Sequence, residues 1–178
     1  MAFTVAAAFE QLCKNLRFSD DNLSKISNRY HSITKRINTD YWETSSDSAH
    51  SLYVGSYGRD TEIFTSDIDM LVQLPYSTYE KFNAYTSNGQ SALLQEVKKV
   101  IEKTYSVTNL KADGQIISVP FSDGINFEVL PAFINKDGNS YTFANSNNGG
   151  SWKVTNPRAE IAEIQSMNNQ CNSNLKRL

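Results

Sequence analysis

The sequence has little cysteine, no long apolar run and no surplus of positive charge. Its two cysteines, Cys13 and Cys171, stand far apart and lack metal-ligand spacing. That argues against a disulfide framework and a zinc module, and for a reduced compartment. No stretch approaches the roughly 20 consecutive apolar residues of a membrane span. The N-terminus lacks the basic opening of a signal peptide. A cytoplasmic protein with no membrane partner is expected. Net charge is −2 and the isoelectric point about 5.7. Proteins that grip long nucleic acid by its backbone are usually basic, so small nucleotides are the expected partner.

What is present is an ordinary globular composition. The 178 residues suffice for one well-cored domain, and 39% hydrophobic with 20% charged residues argues against disorder. Phe9, Leu12, Cys13 and Leu16 mark a helix over 3–17. Asp20 and Asp21 suit the start of a long amphipathic helix carrying Leu23, Ile26, Tyr30, Ile33 and Ile37. Lys25, Arg29, Lys35 and Arg36 lie off that stripe and read as a solvated face. A short strand is expected over 51–55 and a stronger one over 67–74. Ser77 with Glu80 reads as a capping box, and a further helix covers 91–103. Strands are expected near 105–111, 115–121 and 125–130, the last two joined by Ser122-Asp123-Gly124. Asp137-Gly138 turns the chain into Tyr141-Thr142-Phe143. Residues 145–151 read as a polar loop, and Asn156-Pro157 as a helix cap and first turn. The fold class is α+β, a twisted mixed sheet flanked by helices. The chain ends on Asn172-Ser173-Asn174-Leu175-Lys176-Arg177-Leu178, which reads as the first turns of another helix.

The chemistry concentrates in Val54-Gly55-Ser56-Tyr57-Gly58-Arg59 and in Asp67-Ile68-Asp69. Glycine lets backbone approach a phosphate, and the Ser56 hydroxyl and neighbouring N–H groups can donate to it. Asp67 and Asp69 are two apart on a strand, so both leave one face with Cβ atoms roughly 7 Å apart. From there they can converge on paired cations. Alone, an Asp-x-Asp pair reads equally as a turn cap with Ser66 and a solvent-facing aspartate. Ile68, Met70, Val72 and Leu74 form the opposite, core-facing side, leaving Leu71 and Gln73 beside the aspartates. A third carboxylate is expected from a neighbouring strand, and Glu128, between Phe127 and Val129, is the candidate. Arg59 faces either a triphosphate oxygen or an acid such as Glu62. Tyr57 is a candidate sugar or phosphate contact. His31 and His50 have no partners at ligand spacing and read as structural or surface residues.

Gly55-Ser56, then Ser66-Asp67-Ile68-Asp69, then a hairpin acid before Val129-Leu130-Pro131-Ala132-Phe133, resembles the polymerase-beta-type nucleotidyltransferase superfamily. Within it, Arg59-x-Thr61, Trp152-x-x-Thr155-Asn156-Pro157 and Asn174-Leu175-Lys176 resemble the bacterial relatives of cyclic GMP–AMP synthase. The resemblance covers most of residues 50–178. It implies that nucleoside triphosphates are joined into cyclic di- or trinucleotides for antiphage signalling. It also implies two Mg²⁺ ions, with Mn²⁺ as a substitute, held by Asp67 and Asp69. The family's third acid is usually an aspartate, and Glu128 reaches one methylene further, as metal ligand or proton acceptor. Trp152 and Asn156 match a segment near the nucleobase, against which stand core packing for Trp152 and a helix cap for Asn156. The resemblance further implies a helical half after Asn174-Leu175-Lys176, so residues 1–178 are expected to be a single catalytic core cut before it, open to regulatory protein partners. Two other readings stand beside a cyclising synthase. One is a template-independent transferase making linear products or modifying RNA or protein; the other is an inactive nucleotide-binding module.

Overall fold

Helix α1 (Val5–Asn15) opens where the Thr4 hydroxyl accepts from the Ala7 amide, and α2 (Asp20–Tyr41) where Ser19 does the same for Asn22. Both hydroxyls satisfy an amide that a helix start leaves without a partner. These elements come from a computed structural model, which describes residues 4–64 and 67–171. Ser66, and the helix expected over 172–178 with its Asn174-Leu175-Lys176 segment, lie outside the described residues. After α2 come β1 (Ser51–Tyr53), the one-turn helix α3 (Gly55–Gly58), β2 (Ile68–Gln73), α4 (Tyr76–Asn83) and α5 (Gly89–Glu102). Then follow β3 (Lys111–Asp113), β4 (Ile116–Pro120), β5 (Asn126–Ile134), β6 (Tyr141–Asn145), β7 (Ser151–Thr155) and α6 (Pro157–Gln170). Among the described residues no helix is long and apolar enough to cross a membrane.

The strands form one mixed sheet in the order β1-β2-β5-β4-β3, with β6 bridging β5 to β7. Among the described residues only β2 and β5 pair in parallel, Ile68 opposite Phe127 through Gln73 opposite Ala132. The nine-residue β5 is the spine: β2 lies along one edge, and β4 then β6 take the other in succession. Helices α2, α4 and α5 cover one face. There Ile26, Ile33 and Ile37 of α2 and Leu93, Val97 and Ile101 of α5 share one buried cluster with Ile68, Met70, Val72, Phe127 and Val129 of the sheet. Burying side chains of this size stabilises by about 1.5–3 kcal/mol each. The other face carries a small apolar cluster of Leu71, Ala132, Tyr141 and Phe143. Leu71 is thus buried, so the second face of β2 is apolar in its middle, between Asp69 and Gln73.

The structure corrects four local expectations. Residues 105–110 form turns and irregular chain rather than strand; Val107 points into water and is 98% exposed, while Tyr105 and Leu110 still pack on the core. Ser77 caps nothing: Pro75 occupies the cap position of α4, and no side chain bonds to its first turn. The polar loop is shorter than expected, because a tight turn at 147–149 leads directly into β7. Arg29 is not merely solvated. It donates two bonds to Asp123, of 3.1 and 2.8 Å, and stacks 3.8 Å over Phe121, tying α2 to the β4–β5 turn.

That pair sets an expected pH response. The Arg29 guanidinium holds the Asp123 carboxyl below its ordinary range. A depressed carboxylate contributes stability above its unfolded pKa, near 3.9, and loses it as pH falls through the lower folded value. With Asp123 partly in water, the pair is worth no more than about 1 kcal/mol. Urea midpoints of wild type and Asp123→Asn should therefore differ at pH 7 and converge in acid.

Candidate active site

The parallel register places Asp69 directly beside Glu128, on the sheet face that no helix of the main core covers. Adjacent strands lie about 4.8 Å apart, so neighbouring side chains on one face touch. The two carboxyls hydrogen-bond to each other. Burial, followed by the charge of Asp67, pushes the Asp69 pKa up, while Arg59 and the Glu128 bond pull it back. For Glu128 burial, the charges of Asp67 and Asp69, and the shared bond all push upward. Asp67 lies just before β2, exposed, at the mouth of this acid group.

Gly55 makes this arrangement possible. Its φ is +59°, and a Cβ there would stand 1.9 Å from Asp69 Oδ2. The Val54 amide donates to the Asp69 carbonyl at 3.0 Å, so the loop is anchored on the very residue it faces. Above the acids opens a cavity of about 240 Å³ lined by Gly55, Asp69, Gln115, Glu128, Thr155 and Glu160 among others. Arg59, which ends α3, pairs with Glu160 of α6 at 3.5 Å, not with Glu62.

The structure does not bring every candidate residue to this cavity. Tyr57 turns its ring to Tyr53 at 4.6 Å and to Phe18 at 6.4 Å, within the packing between α2 and β1. Trp152 lies on the opposite, helix-covered face; its ring meets Tyr79 at 4.8 Å and Phe133 at 5.8 Å, and its indole N–H donates to Asn83. Asn156 caps α6, accepting from the Ala159 amide at 3.0 Å. Ser56 stands in α3, where its carbonyl accepts from Thr61. His50 stacks on Trp42 and bonds Asn38, and His31 bonds the Asp47 carbonyl, both structural.

Thr155 stands in the sequence reading only as part of the segment resembling one near the nucleobase, while Gln115 and Glu160 escaped that reading. Ser151-Trp152-Lys153-Val154-Thr155 does alternate, which places Thr155 on the acid side and Trp152 behind it. Asp113-Gly114 is a hairpin signal that delivers Gln115 to the rim. Nothing in the sequence singles out Glu160 among the acids of α6.

A search against protein families matches residues 3–168 to the Second Messenger Oligonucleotide or Dinucleotide Synthetase domain. The chain belongs to that family. No curated protein sequence matches it. Solved structures of similar fold include the CD-NTase CdnG of Bradyrhizobium diazoefficiens in complex with GTP, at TM-score 0.70 and 15% identity over 90% of this chain and 47% of that one. The CdnE cyclic dinucleotide synthase of Elizabethkingia meningoseptica with GTP and Apcpp gives 0.62 and 17%, over 90% and 63%. The CdnC:HORMA-deltaN complex of E. coli MS115-1 gives 0.63 and 11%, over 97% and 52%. The chain thus spans less than two thirds of the length of each. These likenesses confirm the nucleotidyltransferase fold expected of a synthetase of this family.

The family implies a divalent cation, and the donor set can be tested against one. Among the described residues no three His, Cys, Asp or Glu side chains gather closely enough to enclose an ion. Mg²⁺ seldom needs such a cage: it is commonly held by one or two carboxylates together with substrate phosphates. Two half-buried carboxyls side by side on adjacent strands, each disfavoured as an anion by the other's charge, are a hard-oxygen donor pair of that kind. Asp69 and Glu128 fit the group, with Asp67 beside them.

Proposed function

We propose that this chain is the catalytic core of a nucleotidyltransferase that joins nucleoside triphosphates into a cyclic di- or trinucleotide, releasing pyrophosphate, in the cytoplasm of a bacterium defending itself against phage. The observation that carries this reading is the Asp69–Glu128 pair under the Gly55 turn. When bound, Mg²⁺ would neutralise the triphosphate and make the attacking hydroxyl more acidic. Asp67, Asp69 and Glu128 would hold it. The turn that starts at Gly55, with the Ser56 hydroxyl, seats the phosphates. A ribose hydroxyl bonds to the α-phosphorus as the bond to pyrophosphate breaks, and an ionised Glu128 accepts the hydroxyl proton. Catalysis on this scheme is positioning and charge neutralisation. A regulatory protein partner is proposed as well, as CdnC forms a complex with a HORMA protein.

Labelled triphosphates incubated with the full-length protein and Mg²⁺ or Mn²⁺ test the reading. Phosphatase-resistant product supports cyclisation, phosphatase-sensitive oligomers indicate a linear transferase, and binding without pyrophosphate release indicates an inactive module.

The Arg59–Glu160 pair adds a prediction. Glu160 lines the cavity while holding the guanidinium that a triphosphate would seek. The pair is partly solvated and worth about 0.2–1 kcal/mol. Glu160→Gln should therefore lower the KM for triphosphate by about two- to fivefold with kcat unchanged. An unchanged KM in steady-state assays would place Arg59 outside the phosphate site.

A further inference from the structure

A second cavity, of about 510 Å³, opens at the far end of the sheet between α4 and the β5–β6 turn. Its walls are Tyr76, Tyr79, Phe133, Ile134, Lys136 and Thr142. Tyr76 stacks on Tyr79 with centroids 5.5 Å apart and planes 25° from parallel, and Tyr79 meets Phe133 edge-on at 5.4 Å. Yet Tyr76 is 64% exposed and Ile134 39%. Tyr76 thus stacks on a neighbouring ring while leaving much of its own surface in water.

The polar side of the cavity is equally specific. Asp137, next to Lys136, is committed to its own turn: it accepts from the Asn139 and Ser140 amides, each at 2.9 Å, and from the Ser140 hydroxyl at 2.6 Å. Asn135 spends its amide on Ser140 and its carbonyl on Thr142, both at 2.8 Å. Among the described residues no ion pair engages Lys136, so the cavity offers one available cation beside a stacked aromatic wall. Small-molecule sites are commonly of roughly 300–1,000 Å³, apolar and aromatic, with few placed polar groups.

We propose that this cavity binds a flat aromatic acid, its ring against Tyr76 and Tyr79 and its anionic group on Lys136. The site is distinct from the acid pair and independent of the reaction assigned to it. The probe is 2-naphthoate, titrated into the full-length protein by calorimetry and followed by saturation-transfer NMR. The neutral 2-naphthalenemethanol and the non-aromatic cyclohexanecarboxylate should each bind at least about fivefold more weakly, for want of the charge or of the ring. Tyr76→Ala and Lys136→Gln, both at exposed positions outside the core, should each weaken 2-naphthoate by a similar factor while leaving the thermal midpoint in place. Asp69→Asn should leave its binding unchanged. Displacement of 2-naphthoate by AMP assigns the site to nucleotides and persistence assigns it to smaller aromatic acids; the proposal holds in both cases. No binding at millimolar 2-naphthoate, equal binding of all three probes, or unaltered binding by both variants would overturn it. So would capture of a proline-rich peptide without 2-naphthoate, which would make the cavity a peptide groove.

Discussion

Asp69→Asn should lose at least about a hundredfold in turnover while melting no lower than wild type. On the proposed reading the loss follows from removing a charge that would hold the cation facing the reacting phosphate, where single electrostatic contacts are worth about 10²–10³ in rate. The retained stability follows from the crowding described above. Burial and the nearby Asp67 oppose an ionised Asp69 more than Arg59 and Glu128 support it, so a neutral isostere of the same size relieves repulsion. Pyrophosphate release and a thermal melt on the same preparation check the two halves. Unchanged turnover would remove Asp69 from the site. A collapsed melt would make it a structural residue.

Gly55→Ala should cost both stability and turnover. The substitution forces a side chain into positive φ and drives a methyl group to within 1.9 Å of the Asp69 carboxylate, with Asp69 Cγ at 2.6 Å. A non-glycine residue held at such a φ loses about 1–3 kcal/mol, and here the carboxyl must also move. Gly124→Ala is the matched control. Its φ is +85°, but nothing lies within 4 Å of the added carbon. It should share the strain and keep the turnover. Urea midpoints with parallel pyrophosphate assays separate the two effects. If both variants retain turnover, the contact between loop and acid does not position the chemistry.

Much of this architecture was legible because the residues themselves enforce it. Ile68, Met70 and Val72 alternate, and only a strand with one greasy side satisfies them. The long helix α2 is written in the spacing of Ile26, Tyr30, Ile33 and Ile37. The acids could be read because their surroundings are local: Asp69 belongs to that strand, and Glu128 is the only acid inside an apolar one. What stayed hidden depends on partners distant in sequence. The parity of β7, and with it the turning away of Trp152, is set by pairing with β6. The choice of Glu160 over Glu62 by Arg59 is set by where α6 lands. Val107 misleads for the opposite reason, since its apolar character is real but it stands 98% exposed.

The side-by-side strands β2 and β5 carry one more consequence. Their acids are far apart along the polypeptide, and parallel pairing of that kind forms only after a long excursion has closed. A ribosome that has released Asp69 has yet to make its partner. On the function proposed above, the emerging chain would be chemically silent until β5 slots in, and the capacity to consume triphosphate would arrive together with the finished sheet.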